Sequence, residues 1–219
     1  MDYKALYDYR FENVNQEARS AVWAEISRFL VAEFGNQPAS VLDPACGYGE
    51  FINSCGVKER WAIDLGQNGS SLEPSVKFTN SSFLDCQLPQ GYFDLVFLSN
   101  ILEHLSNQLE VNDFLQRVFH VLKPGGRIIV MGPNFKFTLK DYFDCADHCV
   151  ALTNVSVAEH LAACHFAILK NFPKFLPYSF RSRLPANKYA TKAYLRAPIF
   201  WRLMGKQFLL VAEKPRGLE

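Results

Sequence analysis

The run Asp43-Pro-Ala-Cys-Gly-Tyr-Gly-Glu-Phe51 combines an acidic residue with small residues at 45, 47 and 49. Small residues let a backbone come close to a ligand. The N–H groups of such a loop, with the start of the helix after it, favour a carboxylate or phosphate. The expectation is a nucleotide-like ligand. The dinucleotide pattern G-x-G-x-x-G needs a third small residue where helix packs on strand, and neither frame supplies it. Counted from Gly47 that position is Ile52, and counted from Ala45 it is Glu50, which argues against a nicotinamide dehydrogenase. Histidine supplies the second chemistry. His104 follows an apolar strand-like run, and Asp144-Cys-Ala-Asp-His-Cys149 lies in a loop. His148 with Asp144 or Asp147 reads either as a base or acceptor-orienting group or as a satisfied loop histidine, and His104 either as a second candidate or as a structural residue. Cys145, His148 and Cys149 form one short cluster lacking the second half of a zinc site, so no metal is expected. His120, His160 and His165 fall in helical patterns and read as structural.

The elements that must position these residues follow from periodicity. Ala18, Val22, Ile26, Phe29 and Leu30 recur at helical spacing between Asn15 and Gly35. Ser40 to Asp43 reads as a buried strand, and Glu50 to Cys55 as the helix after the glycine loop. Further strands are expected at Arg60 to Asp64, Val76 to Thr79, Phe93 to Leu98 and Arg127 to Met131. The clearest helix is Leu109 to Leu122, where Val111, Phe114, Leu115, Val118, Val121 and Leu122 fit the 3, 4, 7 spacing. Pro124-Gly-Gly126 reads as the turn after it. Such alternation predicts a parallel sheet with helices on both faces. A loop from Gly132 to Thr153, a helix from Val155 to Cys164, and strands at Ala167 to Phe172 and Gln207 to Ala212 complete the chain. In such sheets ligands bind beyond the carboxyl ends of the strands, where the glycine loop and both histidine segments fall.

With 219 residues, 49% of them hydrophobic and 21% charged, the chain is expected to fold as one core with an appendage rather than as a disordered or collagen-like protein. No apolar stretch approaches the roughly 18 residues that span a bilayer, and the first residues lack the apolar segment of a signal peptide. Six scattered cysteines are expected to be reduced thiols in the cytosol. The net charge of +1 hides an asymmetry. Nine Lys/Arg and no Asp or Glu lie between Lys170 and Lys206, leaving 14 basic against 22 acidic residues elsewhere. Interleaved with those cations are Tyr178, Phe180, Tyr189, Tyr194, Phe200 and Trp201. Either an amphipathic cover or a surface that recognises an anionic acceptor or membrane would have this composition.

An acidic residue ending the first strand, followed by small-x-Gly-x-Gly, resembles motif I of the class I S-adenosylmethionine-dependent methyltransferases. Phe93-Asp-Leu-Val-Phe-Leu-Ser-Asn-Ile-Leu-Glu-His-Leu105 and Leu122-Lys-Pro-Gly-Gly-Arg-Ile-Ile-Val130 resemble the family's fourth- and fifth-strand motifs. The resemblance implies a Rossmann-like, seven-stranded α/β sheet, mostly parallel with an antiparallel last strand. It covers about Ser40 to Met131, with weaker agreement to the end, and implies a single domain, 1–219, with an N-terminal helical extension (1–38) and a basic, aromatic helical insertion (173–206) between the last two strands. It implies S-adenosyl-L-methionine as cofactor, held by Asp43, Ala45, Gly47, Gly49, Asp64, Leu65, Ser82, Phe83 and Asn100. Asp64 takes the ribose hydroxyls in that reading. Ser82 stands where relatives carry an acid for adenine, leaving the base to the Phe83 backbone, to stacking, or to Asp85.

Within the superfamily, Asp43-Pro-Ala-Cys-Gly is similar to enzymes that methylate adenine in nucleic acids, but Ser99-Asn-Ile-Leu102 stands where those carry Asn/Asp-Pro-Pro-Tyr/Phe. The segments Tyr9-Arg-Phe11, Gly47 to Asn53, Phe175-Leu-Pro-Tyr178 and Ser182-Arg-Leu-Pro185 resemble type 11-like bacterial methyltransferases found near polysaccharide-assembly genes. That likeness implies a small-molecule, glycan-related or lipid-linked acceptor methylated at oxygen, with His148, His104 and Asp144 as candidate catalytic groups. It also implies a cytoplasmic protein with peripheral contact to the inner membrane surface through 170–206. Nucleic-acid methylation and a non-catalytic cofactor-binding module are the alternatives.

Overall fold

The computed structural model describes residues 3–12, 15–66, 69–178 and 187–217. Among them are the strands β1 (Ser40–Asp43), β2 (Glu59–Asp64), β3 (Lys77–Asn80), β4 (Phe93–Ser99), β5 (Leu122–Pro133), β6 (Ala167–Phe172) and β7 (Gln207–Glu213). They form one sheet in the order β3-β2-β1-β4-β5-β7-β6. Pairings among β1 to β5 are parallel, and β7 runs antiparallel to both β5 and β6. The helices are α1 (Tyr3–Phe11), α2 (Gln16–Phe34), α3 (Glu50–Ser54), α4 (Gln108–Val121), α5 (Phe135–Thr138), α6 (Asn154–Ala163), α7 (Lys188–Leu195) and α8 (Pro198–Met204). This is the mostly parallel arrangement expected, with strand order reversing between β1 and β4.

Local chemistry explains the helix starts. Asn15 accepts from the N–H of Ala18 at the head of α2, Asn107 from Leu109 and Glu110 at α4, and Thr153 forms a reciprocal capping box with Ser156 at α6. One face of the sheet packs under α4 and α6 through Phe114, Leu115, Val118 and Leu161. The other face takes Ile26 and Leu30 of α2, Phe51 and Ile52 of α3, and Leu195 and Trp201 of the insertion. Trp201 anchors that insertion edge-on to Phe29, Phe172 and Phe175, at centroid distances of 6.0, 5.5 and 4.9 Å. Its ring N–H donates to the Tyr194 carbonyl.

Two sequence expectations change. The 124–126 segment is strand rather than a turn before one. Leu122 pairs with Phe93, while Gly125, at φ +81°, donates to the Lys214 carbonyl at 2.7 Å. The loop between β5 and α6 holds α5 and a 3-10 turn over Tyr142–Asp144. Arg181, Arg183, Phe180 and the Ser182-Arg-Leu-Pro185 run lie outside the described residues.

Candidate active site

β1 delivers Asp43 to the head of the glycine loop. Burial pushes its carboxyl well above the usual range, and the neighbouring Asp64 and Glu50 carboxylates push the same way. Asp43 accepts from the Ala45 N–H at 3.4 Å. The loop needs left-handed backbone at Gly47 (φ +53°) and Gly49 (φ +79°). A Cβ on Gly47 would meet nothing within 4 Å, so it would stand in open space, whereas one on Gly49 would strike Leu72 at 2.2 Å. Gly47 therefore serves the cavity and Gly49 the packing. Asp64, ending β2, accepts from the N–H groups of Gly47 and Gly66, each at 2.8 Å, tying the first two strand loops together. Leu65 is an exposed apolar residue beside it.

A cavity of about 320 Å³ opens over this loop. Its far wall comes from the loop after β4 and the segment before α6. Asn100 sits at φ +51°, a conformation that asparagine tolerates better than most residues. Its side chain donates to the Ser99 hydroxyl at 2.9 Å. His104 approaches the backbone carbonyl of Asp147 through Nδ1 at 3.0 Å and the carboxylate Oδ2 at 3.3 Å. Arg10 of α1 holds the other carboxylate oxygen of Asp147. Burial would raise the Asp147 pKa, but Arg10 and His104 outweigh it and hold the carboxyl below its ordinary value. The His148 ring stands 4.8 Å from that of His104 and 4.8 Å from that of Tyr142. Burial, and then the proximity of His104, bring the His148 pKa down to about 4, so the imidazole is neutral at pH 7.

Most of the residues expected from the sequence meet at this cavity. Asp43, Ala45, Gly47, Asp64, Leu65, Ser82, Phe83, Asn100, His104 and His148 all line it. Gly49 lies behind the loop. Asp144 is exposed and outside the lining, and Asp147 meets the histidines instead. Asp85 is also exposed and outside it. The Ser82 hydroxyl accepts from the Leu84 N–H at 3.2 Å, and the buried Phe83 ring packs on Phe114 at 4.7 Å. Cys46 is inert as a nucleophile, because burial and then Asp43 push its thiol far up. Sequence reasoning missed Arg10, Arg19, Trp23 and Glu103. Arg19 pairs with Glu50 at 2.5 Å, and Trp23 lines the cavity beside it, so the N-terminal helices are walls of the site. Only a sequence separation of 137 residues connects Arg10 to Asp147, which no local spacing could reveal.

The strand order and the loop at the switch point define the class I methyltransferase fold. Residues 42–130 match the methyltransferase domain family model. The fold is that of the class I S-adenosylmethionine-dependent methyltransferases, and the matched segment spans its glycine loop and first five strands. It is 31% identical over 84 residues to the chemotaxis protein methyltransferase Cher2 of Pseudomonas putida, a match covering 38% of this chain and 28% of that protein. A SAM-dependent methyltransferase from Archaeoglobus fulgidus superposes with a TM-score of 0.68 at 20% identity, over 97% of this chain and 100% of that one. The 1,6-didemethyltoxoflavin-N1-methyltransferase of Burkholderia thailandensis, solved with bound 1,6-didemethyltoxoflavin and S-adenosylhomocysteine, superposes at 0.58 with 18% identity, over 98% and 89%.

The cofactor of this superfamily is S-adenosyl-L-methionine, and the residues present fit it. The open space above Gly47 is a cradle that a side chain would fill. Asp64 and Glu50 lie close enough to Asp43 to raise its proton affinity, and this concentration of carboxyl groups suits a ligand carrying a sulfonium and an ammonium.

Proposed function

We propose that this protein transfers the methyl group of S-adenosyl-L-methionine to an oxygen of a small, glycan-related or lipid-linked acceptor. What supports the reading is a single cavity with two chemically distinct ends. One end has a glycine cradle and carboxylates, the other a buried His104–Asp147–His148 cluster backed by Arg10. The cofactor supplies an electrophilic methyl group on a positively charged sulfur. The chain's own tasks are to hold donor and acceptor in line, exclude water and draw the proton from the acceptor oxygen. Asp64 is the ribose acceptor, Gly47 admits the methionine portion, and Leu65 and Phe83 provide apolar surface beside the base. His104 and His148 meet the acceptor, with Asp147 orienting His104.

The insertion supports a lipid-linked or anionic acceptor. Lys188 and Lys192 lie on α7, Arg196 caps its end and Arg202 lies on α8, with exposed Ile199, Phe200, Leu203 and Met204 beside them. Contact with the cytoplasmic face of a membrane belongs to the same reading. The test is incubation of cell extract with labelled methyl donor, followed by mass spectrometry of lipid and water-soluble fractions. Label in a small or lipid-linked molecule supports the proposal. Label confined to nucleic acid overturns the acceptor class, and cofactor binding without transfer to any fraction overturns the enzyme.

A further inference from the structure

Two buried polar atoms in the far wall of the cavity have no hydrogen-bond partner: Oε1 of Glu103 and Nδ1 of His148. Glu103 is 2% exposed and His148 8%. An unsatisfied buried polar atom costs about 1–3 kcal/mol, more for a charged group, so two in one place point to something that satisfies both. They come from separate loops. Glu103 lies in the 3-10 turn Leu102–His104 after β4, and its backbone carbonyl accepts from the N–H groups of Cys149 and Val150, fastening the turn to the His148 segment. One ligand atom each from Glu103, His104 and His148 lies within 4.8 Å of the others.

His104 is arranged as metal-binding histidines commonly are. With its Nδ1 turned to the backbone carbonyl and carboxylate of Asp147, a donated Nδ1–H leaves Nε2 as a bare lone pair. Arg10 fixes Asp147 in turn, so the ring's orientation is set from outside the cluster. Two histidines and one carboxylate, with a further position open to a cavity, form the ligand set of a catalytic divalent site.

We propose that Glu103, His104 and His148 bind one divalent cation of the zinc class at the acceptor end of the cavity. This inference rests on the methyl-transfer reading and deepens it. Bonds of about 2.0–2.2 Å require the three ligand atoms to draw in by roughly 1 Å, within the reach of side-chain rotation. The open position would face the acceptor, where a cation lowers the pKa of a bound hydroxyl. Spacing in the sequence could not suggest this set, because Cys145, His148 and Cys149 catch the eye as a short cluster while Glu103 and His104 lie more than forty residues earlier.

The experiment is titration of the 219-residue chain with Co²⁺ as a spectroscopic probe, then displacement by Zn²⁺, in a Cys149→Ser background that removes the exposed thiol. The expected result is one-to-one uptake with the visible bands of a low-coordinate Co²⁺ site. Affinity should fall by more than about tenfold in both Glu103→Gln and His148→Ala, since even outer partners of a metal site are worth that much. Glu103→Gln keeps size and polarity, and near-ultraviolet circular dichroism confirms its fold. Absence of uptake by the folded parent overturns the proposal. So does equal binding by Glu103→Gln, or binding lost in Cys145→Ala but kept in Glu103→Gln. Calorimetry with S-adenosylmethionine on the same samples separates the two levels. Cofactor binding without metal uptake sinks only the cation, and absence of cofactor binding sinks the methyl-transfer reading beneath it.

Discussion

At the scale of single residues the donor end of the cavity yields two predictions. Asp64→Ala removes a carboxylate that already organises the Gly47 and Gly66 N–H groups and that the donor's ribose would share. Its loss should weaken S-adenosylmethionine binding by about 1.5–3 kcal/mol, read by calorimetry. Unchanged affinity would remove Asp64 from the site. Gly47→Val asks a different question. The left-handed backbone at φ +53° makes valine strained by about 1–2 kcal/mol, yet the new side chain meets no protein atom. The variant should therefore keep a cooperative thermal transition and lose cofactor binding, and normal binding by a folded variant would reduce the loop to a turn. Both residues were legible in the sequence because their signal is local: a strand end, a small residue and a fixed offset. Arg10, Arg19 and Glu103 were not. An ion pair has no preferred spacing when its partners come from different elements, and a buried glutamate looks like any other until the atoms around it are known.

At the scale of elements, Asp94 at the start of β4 ties three strands together at the end of the sheet opposite the cavity. Its Oδ2 accepts from the Ala39 and Ser40 N–H groups, both at 3.0 Å, and from the Ser40 hydroxyl at 2.9 Å, while Lys123 of β5 reaches Oδ1 at 2.6 Å. Burial alone would raise its pKa, but Lys123 and Ser40 prevail and the carboxyl titrates below its ordinary value. A depressed folded pKa means stabilisation that is present above the unfolded value of about 3.9 and lost as pH falls through the folded one. Asp94→Ala should cost about 1 kcal/mol in urea denaturation at pH 7, the scale for lost hydrogen bonds at a partly buried site. The gap from the parent should narrow below about pH 4, and a pH-independent gap would mean that packing, not the carboxylate, joins the strands. The core strands and α4 were readable from period and length. The short α5 and the opening of β5 were not, because Phe135 to Thr138 is too brief for a periodic signal and Gly125 pairs with Lys214 from the far end of the chain.

At the scale of the molecule the prediction concerns where the chain works. No helix among the described residues is long and apolar enough to cross a membrane. Yet α8 leaves Ile199 57%, Phe200 44%, Leu203 70% and Met204 42% exposed on a seven-residue helix, with only Trp201 turned fully into the core. Around them the described cations Lys188, Lys192, Arg196 and Arg202 have no acidic partner among the described residues, whereas Lys206 pairs with Asp141 at 3.3 Å. A solvated cover would account for the charges but gains nothing from four large apolar side chains in water. An anionic bilayer answers both, since each Lys/Arg near its surface contributes about 1 kcal/mol and the apolar residues bury in the interface. The acidic excess over the rest of the chain opposes an extended polyanion more than it opposes a flat surface touched at one edge. The protein should therefore co-sediment with vesicles containing anionic lipid, more weakly at higher salt, and not with neutral vesicles. Lys192→Glu with Arg196→Glu should weaken this by at least about tenfold, and Phe200→Asp with Leu203→Asp should remove the salt-resistant part, both with S-adenosylmethionine binding intact. Equal partition of the parent and the charge-reversed variant would show that the segment is a solvated lid, and salt-sensitive binding to single-stranded RNA without vesicle binding would turn the search for the acceptor toward nucleic acid.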